Sequence, residues 1–182
     1  MTHNTTDETY RRVFQFAKKY LISHLPEGIS EKDLDKYFIG DACEAKDLRD
    51  IFIVFVKSAQ QYQRMPNVIQ FDNRKEEIGR ILKDFDYKLV VDMKEDELCA
   101  SFRTAFTVKS KDGNRNSWHK WSTAVVDSAR FLNGFHDKSD FDEFVKRFDY
   151  NVDTRMALPL LISTKIRGIG FALACNALKE LG

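Results

Sequence analysis

The segment best equipped for chemistry is Thr164-Lys165-Ile166-Arg167-Gly168-Ile169-Gly170-Phe171-Ala172-Leu173-Ala174. Two glycines bracket one aliphatic residue, and a helical pattern with the small Ala174 begins one turn after the second glycine. Glycine reaches positive φ without steric cost, as a tight hairpin between helices requires. Lacking a Cβ, it also lets a phosphate approach the backbone. Ile169 can plug inward and fix the hairpin on a core, and Ala174 is small enough for the two helices to pack closely. A helix that starts at the loop leaves its first N–H groups without intrahelical partners and turns its positive dipole end toward the loop. The result is an anion site that needs no charged side chain. Lys165 and Arg167 flank it and add screened attraction to phosphate. From Thr154 onward the basic residues are Arg155, Lys165, Arg167 and Lys179, against Glu180 alone. A dinucleotide fingerprint would need a third glycine at Leu173 and a preceding strand; the preceding segment has a helical pattern instead.

The pattern hydrophobic-x-Gly-hydrophobic-Gly-x-x-x-Ala, met by Ile166, Gly168, Ile169, Gly170 and Ala174, resembles the helix-hairpin-helix motif of DNA-binding and DNA-repair proteins. The order of several helices and then the hairpin is similar to the DNA glycosylase superfamily, which carries that motif. The resemblance implies a double-stranded DNA partner, held by its backbone at Lys165, Arg167, Gly168, Ile169, Gly170 and Ala172, and a place in base-excision repair. Bifunctional members of the superfamily hold a lysine two residues after the second hairpin glycine, and its amine attacks the sugar to form a Schiff base. Ala172 stands there, so the resemblance does not extend to lyase chemistry. The family also uses an aspartate some turns beyond the hairpin to stabilise the cationic sugar. The sequence ends at Gly182, before that position. The expectation is a fragment of a longer protein or a chain without that carboxylate, and base excision without lyase activity only in the first case or with a non-standard site. No catalytic residue is assigned.

Other constellations are weaker. Trp118 and Trp121, with His119, open one helix and are candidates for stacking an extruded base. The competing expectation places Trp121 in the core and Trp118 half exposed. Ser117-Trp118-His119-Lys120 fits Ser-x-x-Lys without its partner motifs. Asp86 with Asp92-Met93-Lys94 has the residue types of a nuclease site, but Glu95-Asp96-Glu97 reads as the acidic first turn of a helix. His3, His24, His119 and His136 show no ligand spacing with Cys or acids, and Cys43, Cys99 and Cys175 lie far apart. Neither a metal nor a cofactor is expected, and the cysteines are expected as reduced thiols.

These residues need elements to hold them. Tyr10, Val13, Phe14, Ala17, Tyr20 and Leu21 recur at helical spacing and predict a helix over about 7–24, ended by Pro26 and Gly28. Ser30 is the expected cap of a short helix carrying Leu34 and Phe38. Leu48, Ile51, Phe52, Phe55, Val56, Ala59 and Tyr62 predict a central buried helix stopped by Pro66. Further helices are expected after Asp72 or Asn73 (Ile78, Ile81, Leu82, Phe85), over Leu98 to Phe106, from a Ser117 cap to Gly134, after a Ser139 cap, and from Asp153 or Thr154 to about Ser163. Lys88 to Asp92 is the sole strand candidate. Lys109 to Asn116 is turn-rich and marks an expected boundary between an N-terminal helical region, 1–112, and a C-terminal one, 113–182, unless the two form one domain.

The fold class is therefore all-α, a multi-helix globular domain ending in the hairpin. Hydrophobic residues make up 43 % of the 182, with fifteen phenylalanines, enough for a real core. Eight glycines and three prolines are too few for a turn-rich all-β fold. The formal net charge of +1 excludes a basic field over the whole surface, so a nucleic-acid site must be a local patch. No apolar run is long enough to span a membrane, and Met1 to Thr6 lack a signal core. A cytoplasmic location is expected, nucleoid-associated if the chain binds DNA. The alternative from a different class is a non-enzymatic α-helical interaction or scaffold protein, in which the hairpin is only a turn.

Overall fold

The computed structural model describes residues 3–32, 45–62, 65–109 and 116–181. Its elements among those residues are all helical. The chain forms two compact units, Met1–Asp41 and Ala42–Gly182.

In the first unit, α1 (His3–Ser23) is supported by local interactions. Arg12 bridges Glu8 one turn earlier at 2.6 Å, and the Tyr20 ring stacks on His24 with centroids 4.2 Å apart. The predicted apolar stripe is present, but Val13, Phe14, Tyr20 and Leu21 are exposed, as is Phe16. The expected helix of Leu34 and Phe38, and Cys43, lie outside the described residues.

The second unit holds α2 (Leu48–Ala59), α3 (Met65–Ile69), α4 (Lys75–Ile81), α5 (Tyr87–Val90), α6 (Glu95–Ala105), α7 (Ser117–Leu132), α8 (Lys138–Lys146), α9 (Val152–Lys165) and α10 (Phe171–Leu181). Helix α2 starts at Asp47, whose side chain accepts from Asp50 N–H, an N-cap of the usual kind. Its residues Ile51, Phe52, Phe55, Val56 and Ala59 are fully buried. Helix α7 is central too: it packs against α2, α5 and α6, while α10 packs against α2 and α9. Trp121 links the layers, stacking on Phe102 at 4.1 Å between centroids and donating from Nε1 to the Val56 carbonyl at 3.0 Å. Four polar residues of α7, Ser122, Thr123, Asp127 and Ser128, are buried, each with a hydrogen-bond partner. Ser122 donates to the Trp118 carbonyl and Ser128 to that of Ala124, a back-bond that lets a hydroxyl enter a core. Phe131, Phe135, Phe141, Phe144 and Phe148 form an edge-to-face cluster between α7 and α8.

Several expectations shift. The strand candidate Lys88 to Asp92 is instead the short helix α5, because Asp86 caps it by accepting from Lys88 N–H at 3.0 Å and its alternation of residues finds no neighbouring strand to pair with. Helix α7 is capped by Asn116 rather than Ser117, α8 by Asp137 rather than Ser139, and α9 by Asn151 in a reciprocal box with Thr154. In each case an Asx side chain one or more positions upstream reaches the free N–H groups. The boundary expected at 112/113 falls outside the described residues, but α6 and α7 on its two sides pack together within one unit. A shared aromatic core holds them, centred on Phe102, Phe106, Trp118 and Trp121.

Candidate functional site

The hairpin runs from α9 to α10. Ile166 closes α9 by donating to the Ile162 carbonyl, and its backbone is already extended. Gly168 then takes φ +88°, where a side chain would be strained. Ile169 donates to the Ile166 carbonyl at 3.1 Å, and Ala174 donates to that of Gly170 at 2.9 Å, the first turn of α10. The N–H groups of Phe171, Ala172 and Leu173 therefore precede the first intrahelical donor of α10. Ile166, Ile169, Ala174 and Ala177 are buried, so the isoleucines plug the loop onto the core and the alanines let α10 pack closely.

The two glycines face different surroundings. A Cβ on Gly168 would lie 2.9 Å from both the Lys120 carbonyl oxygen and the Tyr62 hydroxyl, and 3.3 Å from the Ala124 Cβ. The Tyr62 hydroxyl donates to the Gly168 carbonyl. Gly168 thus makes its close approach to the protein's own α7 and Tyr62 rather than presenting that face to a phosphate. A Cβ on Gly170 would meet nothing within 4 Å. Both glycines are exposed, but only at Gly170, at the start of α10, would a side chain meet open space.

Arg167 also departs from expectation. Its Nε and Nη2 donate to the two oxygens of Asp127 at 2.7 and 2.9 Å, and its backbone N–H donates to Asp127 Oδ2 at 3.1 Å. Nη2 reaches Glu95 Oε1 at 2.6 Å. Arg130 joins both carboxylates, and Thr123 donates to Glu95 Oε2 at 3.0 Å. The guanidinium that sequence reasoning assigned to phosphate is engaged by the protein's own carboxylates, while its side chain remains largely exposed. Burial would raise the Asp127 carboxyl, but the hydrogen bonds and charge of Arg167, joined by Arg130, outweigh it and hold the group below the usual aspartate range. Glu95 behaves alike: burial opposes ionisation, while Thr123, Arg167 and Arg130 favour it more strongly. Arg167 is raised above its ordinary value, chiefly by its hydrogen bonds to Asp127 and then Glu95.

Lys165 and Ala172 are exposed, and Lys165 has no ion-pair partner among the described residues. Trp118 and Trp121 are both buried, packed on Phe106 and Phe102. Trp118 is more enclosed than the half-exposed alternative, and neither ring offers a face to an extruded base. His119 lies 3.0 Å from Asp96, but among the described residues no three His, Cys, Asp or Glu side chains gather as a metal site. Cys99 is buried and Cys175 half-buried, both as thiols. No helix among the described residues is long and apolar enough to cross a membrane.

Sequence reasoning did not place Tyr62, Lys120, Glu95 or Asp127 beside the hairpin. One signal for Asp127 was available: it sits at helical spacing from Ala124 and Phe131 in a largely apolar stretch, where an unpaired carboxylate is unfavourable. Glu95 was read only as part of an acidic first turn, which it is; its partners lie on other elements. No family model matches the chain, and neither the curated proteins nor the solved structures give a match.

Proposed function

We propose that the chain binds the backbone of double-stranded DNA through the hairpin between α9 and α10, in the manner of a helix-hairpin-helix element of the DNA glycosylase type, without the hairpin lysine. One observation carries the reading: Gly170 opens directly onto the first turn of α10. There the N–H groups of Phe171 to Leu173 precede the first intrahelical donor of α10, next to a loop anchored by the buried Ile166 and Ile169. Free N–H groups, the positive end of the helix dipole and the absence of a Cβ all favour a close phosphate. Lys165 adds a charge on the α9 side. The contribution expected of Arg167 as a free cation is not part of this reading, because Asp127 and Glu95 hold it.

The experiment is a duplex-binding titration over a salt series with the wild type and Gly170→Ala. Affinity should fall with salt, as counterion release requires, and Gly170→Ala should weaken it while leaving the unfolding midpoint in place. A duplex affinity that ignores both salt and the substitution would refute the DNA reading.

A second reading, an α-helical interaction protein, is favoured by a separate feature. An open groove of about 690 Å³ lies among α8, α9 and α10, with Phe141, Val145, Phe148, Leu158 and Leu178 on its walls. It carries the same titration in reverse: no salt-dependent DNA binding.

A further inference from the structure

The peptide planes on either side of the hairpin's tightest point are held from outside the hairpin. On one side Asp127, on α7, accepts the backbone N–H of Arg167. On the other the Tyr62 hydroxyl donates to the Gly168 carbonyl. Asp127 is 6 % exposed, so it is a carboxylate placed in a core, where a charge is tolerated only when paired and hydrogen-bonded. Its pairing is complete: both oxygens are used, and the planar fork of Arg167 matches them as only a guanidinium can. Two carboxylates, Asp127 and Glu95, face two guanidiniums, Arg167 and Arg130, so the cluster is self-neutral. An arginine meant for phosphate would present its fork outward. Here the Nε–Nη2 edge of the fork is taken by Asp127, although the side chain as a whole stays largely exposed.

We propose that Asp127 is the positioning residue of the hairpin, acting through Arg167 to hold the loop so that Gly170 and the first turn of α10 face the phosphate, with Arg167 adding no net charge to DNA binding. This rests on the DNA reading of the same hairpin. It separates geometry from charge, two roles that deletion of an arginine normally confounds. Lysine at position 167 keeps the charge but cannot reproduce the two-nitrogen grip on Asp127.

The test uses the full chain, a short DNA duplex over a salt series, and hydrogen exchange of the hairpin amides without DNA. Arg167→Lys, which keeps the charge, should weaken duplex affinity about tenfold, the scale of a lost charge-assisted hydrogen bond, without changing the salt slope; Asp127→Asn, which leaves the cluster one positive charge in excess, is read by hydrogen exchange. Both variants should speed exchange at the amides of residues 167 and 169, which are hydrogen-bonded in the folded loop. Lys165→Gln should instead lower the slope by about 0.9 and leave exchange unchanged. If Asp127→Asn does not fold, Arg167→Lys carries the test. An Arg167→Lys protein that binds as the wild type does, beside an Arg167→Gln protein with a reduced slope, would make Arg167 a phosphate-binding cation and overturn the proposal. Wild-type protein without salt-dependent binding would defeat the DNA reading; the clamp is then read by exchange alone. Hairpin amides equally protected in Asp127→Asn and wild type would overturn the clamp itself.

Discussion

The Tyr62 hydroxyl donates to the Gly168 carbonyl, joining the end of the α2 region to a hairpin 106 positions later. Burial raises the Tyr62 phenol above its ordinary pKa, so it remains a donor through neutral pH. Tyr62→Phe removes the donor, keeps the ring and leaves the carbonyl without this partner. The expected cost is about 1 kcal/mol, read as a lower urea midpoint with an unchanged denaturant slope. An unaltered midpoint would mean that the bond contributes nothing in solution.

The hairpin glycines should respond oppositely to alanine. Gly168→Ala meets positive φ, costing about 1–2 kcal/mol, together with contacts at 2.9 Å that force the loop off α7. Gly170→Ala has open space around it and should change stability by less than about 0.5 kcal/mol, as surface substitutions do. Thermal unfolding of the two single variants checks this, and equal losses would contradict the different surroundings of the two positions.

The Arg167 cluster carries a definite pH dependence. Asp127 and Glu95 both titrate below their ordinary values: burial works against this, and the arginines overcome it. Carboxylates depressed in the folded state add stability that is complete above the unfolded carboxylate value of about 4 and is lost as pH falls through the lowered folded values. Arg167→Gln should therefore cost about 2 kcal/mol at pH 7, discounted from a fully buried pair because Arg167 is largely exposed. That deficit should shrink as pH drops below about 4. Urea midpoints at neutral and acid pH measure it, and a deficit constant with pH would place the effect in packing instead.

Lys83, Asp84 and Phe85 take successive φ values of 52°, 57° and 60°, three left-handed residues in a row without a glycine. Phe85 is buried, its ring 3.1 Å from where a Gly79 Cβ would stand, and Arg49 donates to the Asp84 carbonyl at 2.7 Å. These contacts offset the strain. Lys83 is exposed, so Lys83→Gly relieves left-handed strain with no packing lost. It should stabilise the fold by about 0.5–1 kcal/mol once the added chain entropy of glycine is subtracted. A lower unfolding midpoint in this variant would show that the strain is already relaxed.

Ala172 bears on covalent chemistry, since it offers no amine two residues after Gly170. Incubated with abasic DNA and borohydride, the protein should yield no trapped adduct through the hairpin, because a Schiff base needs a lysine or terminal amine at the sugar. A peptide map placing an adduct on Lys165, seven residues before Ala172, would relocate the reacting group to the other arm.

The sequence by itself determined the helical class, the main stripes and the internal logic of the hairpin. The burial of Ile51, Phe52, Phe55, Trp121, Ile169 and Ala174 follows from periodicity and residue size, which act within one or two turns. Cap positions moved by one or two residues because several Asx and Ser side chains compete for the same free N–H groups. Only the tertiary structure decided at which glycine a side chain would have room and where the charge of Arg167 goes. Asp127 lies 40 positions before Arg167 and Glu95 lies 72 before it, so no local pattern pairs them. The packing of α6, α7 and the hairpin brings the three together, and once Asp127 is drawn into the core, leaving it unpaired costs more than engaging the nearest guanidinium.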